Sequence, residues 1–165
     1  VSVNKSIING CSGDMFAYKE STVAQIPVTE ITNSTLIKPQ GRIFYAGNAA
    51  SFSIDYCTMY GWGGSKAMLE LGDKNTLGMS LAIKNTILAN GGSNRKAHNA
   101  NAAANLSLTI EKVYGTNDMT FHSTLGDVTK YDKPSTEVFE NPEEGNFKII
   151  DALFPSSIGD PRWTE

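Results

Sequence analysis

The sequence predicts an all-β domain: an antiparallel two-sheet β-sandwich, immunoglobulin-like or jelly-roll-like, spanning residues 1–165 as one unit. Three observations predict it. Apolar side chains recur at every second position in Leu77, Met79, Leu81 and Ile83, in Phe52, Ile54 and Tyr56, and in Leu106, Leu108 and Ile110. A period of two buries one face of an extended strand. Short runs of this kind are separated by turn-forming Gly, Asn, Asp and Pro, and no window shows a comparably clean period of 3.6 between caps.

Taken in order, Val1–Ile8 reads as an N-terminal strand with Val1 and Val3 on one face, followed by the turn dipeptide Asn9-Gly10. Met15–Lys19 is a short strand. Gln25–Ile31 contains Pro27, which has no N–H to give a ladder, so it suits an edge or a bulge. Lys38-Pro39-Gln40-Gly41 turns the chain between Leu36-Ile37 and the strand Arg42–Ala46. Ser51–Met59 is a strand that Gly61-Trp62-Gly63-Gly64 interrupts. Ala67–Leu71 and Thr76–Ile83 flank Gly72-Asp73-Lys74-Asn75 as a hairpin. Ala89–Ala104 is polar, small and without period, the longest loop, with an Ala-rich half suited to one helical turn. Asn105–Tyr114 and Met119–His122 suggest a second hairpin across Gly115–Asp118. Thr136–Phe139 and Asn146–Ile150 suggest a third around Asn141-Pro142-Glu143-Glu144-Gly145. Residues 155–165 read as a tail with two prolines and Trp163. No internal repeat of fixed period stands out.

The charged fraction is 19 %, below the usual value of about 25 %. Asn, Ser, Thr and Gly fill the difference, a surface common in secreted β proteins. Net charge is -3 and the one basic cluster, Arg95-Lys96 beside His98, is too short to track a phosphate backbone, which argues against nucleic acid. No apolar run approaches the roughly 20 residues of a membrane span. The chain opens at Val1 without an initiator Met. That fits a mature chain whose leader has been removed, or a chain cut at a domain boundary.

Cys11 and Cys57 are the only cysteines. An even count in an exported chain favours a disulfide between an early and a middle strand, with two unpaired buried thiols as the other reading. No C-x-x-C occurs, and His98 and His122 lie far from both cysteines in sequence, so no metal centre is indicated. Calcium is the ion that oxygen-bearing turns at Asp73, Asp118, Asp127 and Asp132 invite, although none follows an EF-hand loop. No other cofactor is expected.

No motif names a reaction. His98 and His122 are the residues suited to proton transfer near neutrality, but His98 falls in the polar loop and His122 on a solvent-facing strand position. Glu143 and Glu144 are adjacent in a turn and point apart. Asp55 shares an outward strand face with Ser51, Ser53 and Cys57. Tyr56, Tyr60 and Trp62 cluster beside Gly61, Gly63 and Gly64, an arrangement suited to stacking on a sugar ring or a lipid interface. Asn4, Asn33 and Asn105 each open an Asn-x-Ser/Thr sequon.

The pattern of an early Cys11 and a later Cys57 after the strand Val1–Ile8 resembles chaperone–usher pilins. The resemblance implies a disulfide across an incomplete sandwich and an N-terminal strand, with Val1, Val3 and Ile7 as its apolar residues, donated to a neighbour. The Pro-containing tail departs from the alternating last strand of that family. Gly41–Leu71, with Gly61, Gly63 and Gly64 before a strand, resembles aegerolysins, which implies a lipid-binding sandwich. Together these readings favour an exported, non-catalytic structural or adhesive protein, a subunit of a filament, pilus or surface layer, whose partners are copies of itself. The alternatives are a secreted glycan- or lipid-binding module and a small secreted hydrolase.

Overall fold

The chain coils. In the computed structural model, which describes residues 1–18, 27–47, 49–72 and 78–164, it winds through about four turns of a parallel β-solenoid rather than two antiparallel sheets. The first sheet stacks β1 (Ser2–Asn4), β4 (Val28–Thr32), β7 (Ser51–Asp55), β10 (Met79–Lys84) and β12 (Leu106–Glu111). The second stacks β2 (Ile7–Asn9), β5 (Thr35–Ile37), β8 (Thr58–Tyr60), β11 (Ile87–Ala89), β13 (Tyr114–Gly115) and β14 (Thr129–Lys130). The third stacks β3 (Phe16–Tyr18), β6 (Phe44–Ala46) and β9 (Leu69–Leu71). Every ladder in these sheets is parallel.

Each strand therefore pairs with one a full turn away. Ser2 faces Glu30, Val28 faces Ser51, Ser51 faces Ser80 and Met79 faces Leu106, which are steps of 28, 23, 29 and 27 residues. Like residues stack inside. Val3, Ile31, Ile54, Ile83 and Ile110 form one column. Ile8, Leu36, Met59 and Leu88 form another. Phe16, Phe44 and Leu69 form a third, with Phe44 stacked 4.4 Å from Phe52. These columns make one continuous core.

The corner between the first two sheets repeats a local device. Lys5, Asn33, Tyr56, Asn85 and Lys112 all adopt the left-handed conformation, with φ between 44° and 51°. The next residue closes the bend in four of the five turns. The side chains of Ser6, Ser34, Cys57 and Thr86 each donate to the carbonyl two residues back, on Asn4, Thr32, Asp55 and Lys84. A single left-handed residue swings the strand into the next sheet, and the hydroxyl or thiol gives a second hydrogen bond to a carbonyl that, on Thr32, Asp55 and Lys84, also accepts a backbone N–H from the neighbouring turn.

The outer face of the second sheet is covered. After β14 the chain forms α2 (Ser135–Val138) and an antiparallel pair, β15 (Phe139–Asn141) and β16 (Asn146–Ile149). Residues up to Trp163 then lie across that sheet. Val138, Phe139, Phe147, Phe154 and Ile158 bury against Ile37, Tyr60, Ile87 and Ala89 in a second core. Gly159, at φ 94°, is where this strap meets the sheet. A Cβ there would lie 2.6 Å from Ile87 Cδ1 and 3.0 Å from Thr58 Oγ1.

Several expectations change. The sandwich is replaced by the solenoid because alternation reports a buried face and is silent on strand direction. The hairpin around Asn141–Gly145 is present, but the expected strand Asn105–Tyr114 divides between β12 and β13 in different sheets, and Met119–His122 carries only a parallel bridge from Phe121 to Arg95, so no hairpin crosses Gly115–Asp118. The turn Gly72–Asn75 falls largely outside the described residues, but the strands flanking it, β9 and β10, stack in different sheets and form no hairpin. Residues 155–164 are a packed strap rather than a tail. Val1–Ile8 is two strands, and both pair within the chain: β1 beside β4 and β2 beside β5. Val3 packs on the core while Val1 and Ile7 stay exposed.

Candidate ligand cleft

Three successive turns of the third face build an open cleft of about 440 Å³, lined by Glu70, Lys96, His98, Asn99, His122 and Thr124 among others. Glu70 lies in the middle of β9. Leu69 bridges to His98 and Arg95 bridges to Phe121, both in parallel, so the next register step sets Lys96 beside His122 on adjacent turns. Adjacent turns of a parallel stack are about 4.8 Å apart. Both histidines thus reach one cleft, although the sequence puts one in a loop and the other on a separate strand.

The walls are tied by short polar contacts. The Asn99 side-chain oxygen accepts from Leu71 N at 3.2 Å and Ala102 N at 3.1 Å, and its Nδ2 donates to Leu71 O at 2.9 Å. That caps α1 (Ala100–Ala103), the helical turn expected in the Ala-rich stretch. Thr124 Oγ1 accepts from Ala97 N at 3.0 Å.

The two imidazoles are held in opposite tautomers. His98 Nδ1 lies 3.0 Å from the Asn99 carbonyl. A carbonyl only accepts, so Nδ1 donates, and neutral His98 keeps a lone pair on Nε2. His122 Nδ1 instead accepts the Thr124 backbone N–H at 3.2 Å. Neutral His122 therefore carries its proton on Nε2. In the neutral rings the remaining nitrogen, Nε2, is thus an acceptor on His98 and a donor on His122.

Charge around the cleft is unevenly satisfied. Arg42 binds Asp14 through Nε at 2.5 Å and Nη2 at 2.9 Å, and reaches Glu70 at 3.4 Å. Its pKa is raised, chiefly by the Asp14 hydrogen bond. Lys66 adds a second cation 3.9 Å from Glu70. Arg95 spends its guanidinium on the Gly63, Gly64 and Ser93 carbonyls, and burial lowers its pKa. Lys96 has no acidic partner among the described residues. The short basic cluster thus splits into a half-buried Arg95 held by backbone carbonyls and an exposed Lys96.

The aromatic cluster expected to bind ligand does not assemble. Trp62 is wholly buried, with its Nε1 unpartnered, and Arg95 lies over its ring at 5.8 Å. Tyr60 is sealed beneath the strap, where its hydroxyl donates to Glu143 at 2.5 Å and accepts from Asn90 at 2.7 Å. Burial, together with that carboxylate, pushes its pKa up to about 12. Tyr56 sits apart at the solenoid corner. The glycines beside them serve backbone contact. A Cβ on Gly64 would lie 2.0 Å from the Gln40 carbonyl.

The expected disulfide is absent and both thiols are free. Cys57 occupies the corner column of Ser6, Ser34 and Thr86, pointing inward, while Cys11 follows β2 at a different corner. Burial pushes the Cys57 thiol up to about 12. Asp55 faces outward as expected and accepts from Asn85 Nδ2 at 2.8 Å. Among the sequons, Asn33 Nδ2 donates to Asn4 Oδ1 at 2.9 Å, and Asn105 is exposed. Of the turn aspartates, Asp118 accepts from Ser135 N, Ser135 Oγ, Thr116 Oγ1 and Asn90 N. Burial opposes its ionisation, but the hydrogen bonds from Ser135 and Thr116 outweigh it and lower its pKa. Asp127 and Asp132 are exposed, and Asp73 lies outside the described residues. Among the described residues no group of three or more His, Cys, Asp or Glu is placed to hold a metal. No helix there is long and apolar enough to cross a membrane.

No curated protein and no solved structure matches the chain. A family model described as a domain of unknown function (DUF5123) matches residues 52–163. The match begins inside β7 and takes in the later turns, the whole lining of the cleft and the strap. Covering more than half of the chain, it places this protein in the DUF5123 family.

Proposed function

We propose that this protein is an exported, non-catalytic binding module that holds a glycan in the His98/His122 cleft. The observation that carries the reading is the opposed pair of locked imidazoles in one open cleft. A sugar ring presents hydroxyls that both donate and accept, and a fixed donor beside a fixed acceptor matches that chemistry. The cleft is open and crosses three stacked turns, which suits a chain of sugars better than an enclosed small molecule. The weakly charged, Asn-, Ser- and Thr-rich composition supports an extracytoplasmic setting.

A glycan array probed with the purified protein tests the reading. Retention of a defined subset of glycans, lost at least about tenfold in His98→Ala or His122→Ala, is the expected result. Retention of no glycan, or equal retention by both variants, overturns it. Release of new reducing ends from a bound glycan, abolished by His98→Ala, would overturn the non-catalytic part and favour a hydrolase.

A further inference from the structure

We infer that the cleft selects sugar chains bearing carboxylates, that is, acidic polysaccharides built from uronic acids. This rests on the glycan reading above and adds the ligand's charge and the residue that reads it.

The local charge balance carries the inference. Among the described residues Glu70 is the carboxylate that lines the cleft, and it faces two cations, Lys66 and Arg42, the latter also bound to Asp14. Lys96 remains, lining the cleft with no acidic partner among the described residues. The surplus is local, since the whole chain carries -3. A carboxylate set against Lys96 would gain a charge-assisted hydrogen bond. The register that sets Lys96 beside His122 puts an Nε2–H donor on the adjacent turn, available to the second carboxylate oxygen. His98 Nε2 is left to accept from a hydroxyl of the same or the next sugar.

One cation and one neutral donor match a singly charged group. Phosphate or a densely sulfated chain would call for more cationic donors. The guanidiniums nearby are not free to supply them: Arg42 is bound to Asp14 and Glu70, and Arg95 to three backbone carbonyls.

The experiment is calorimetric titration of the full chain with alginate oligomers, with the same oligomers after reduction of their carboxyls to alcohols, and with a sulfated galactan. The native oligomers are expected to bind about tenfold tighter than the reduced ones, the size of one charge-assisted contact. Lys96→Met should reduce that ratio to about unity, and Lys96→Arg should restore most of it. Lys96 is exposed, so these variants leave the core untouched. Equal binding of native and reduced oligomers overturns charge selection while leaving the glycan reading standing. Sulfated galactan binding as tightly as alginate overturns the carboxylate assignment. A ratio unchanged in Lys96→Met overturns the role of Lys96. Failure of every glycan on the array removes the underlying reading as well.

Discussion

Trp163 Nε1 donates to Thr35 Oγ1 at 2.7 Å across 128 positions of sequence. The same hydroxyl donates onward to Asp160 Oδ2 at 2.7 Å, and Asp160 N donates to Thr58 Oγ1 at 3.1 Å. Thr35, Thr58 and Asp160 are all buried. The strap is therefore pinned to the second sheet by polar contacts as well as by its aromatic packing.

Thr35→Val keeps the shape and removes both hydrogen bonds, leaving a half-buried indole N–H and a buried carboxylate short of a partner. The expected cost is about 1–3 kcal/mol, read as a lower urea midpoint with an unchanged slope. An unchanged midpoint would mean that the hydroxyl does not anchor the strap.

Tyr56 stands where the corner column wants a residue that accepts the left-handed conformation. Its φ is 49° and the residue is 39 % exposed. Tyr56→Asn should raise stability by about 1 kcal/mol, since Asn tolerates this conformation and little burial is lost. A higher melting temperature is the expected reading. A fall would show that the ring contributes more than the backbone strain costs.

The thiols differ in access. Native protein should lose Cys11, but not Cys57, to an alkylating reagent, and urea without reductant should expose both to modification, as followed by intact mass. Cys57→Ser should fold normally, within about 1 kcal/mol, because serine already fills this column in two other turns. Resistance of both cysteines in urea until reductant is added would restore the disulfide.

Asp151 accepts from Tyr131 at 2.6 Å and pairs with Lys133 at 2.9 Å, which holds its pKa down to about 2. An unfolded Asp titrates near about 3.9. A carboxylate depressed by folding stabilises above its unfolded pKa and loses that contribution as pH falls through the folded value. Acid titration should therefore show stability falling between about pH 4 and about pH 2. In Asp151→Asn that part of the loss should vanish, as measured by melting temperature against pH. An unaltered acid profile would remove Asp151 from the account.

Much of the solenoid was written in the chain in a form that fixed-period reading does not detect. Val3-Asn-Lys-Ser-Ile-Ile, Ile31-Thr-Asn-Ser-Thr-Leu, Ile54-Asp-Tyr-Cys-Thr-Met, Ile83-Lys-Asn-Thr-Ile-Leu and Ile110-Glu-Lys-Val-Tyr-Gly are one corner motif written five times. Its spacing shifts from 23 to 29 residues because only the corner and its flanking strands are constrained. The connections vary freely on the outside. The motif also explains Cys57, which sits in a serine position and has no partner to find.

The cleft was less legible. His98 and His122 looked like unrelated polar residues because nothing local links them, and their meeting depends on which turn stacks on which. Trp62 and Tyr60 misled for the opposite reason. Glycines around aromatics suit an exposed platform, but they equally suit close backbone approach, and here Gln40 lies against Gly64.

By itself the sequence determined which side chains face inward, since alternation sets the two faces of a strand whatever it pairs with. It marked the bends at Asn33 and Asn85, which fall between expected strands, but not those at Lys5, Tyr56 and Lys112, which fall inside them, and it set the weakly charged surface. Only the tertiary structure decided the direction of pairing, because parallel and antiparallel ladders bury the same alternating face. It also decided that the apolar residues after Val138 cover the second sheet, and that Lys96, His98 and His122 share a cleft. Those contacts join residues one turn or many apart, and their energy exists only once the coil has closed.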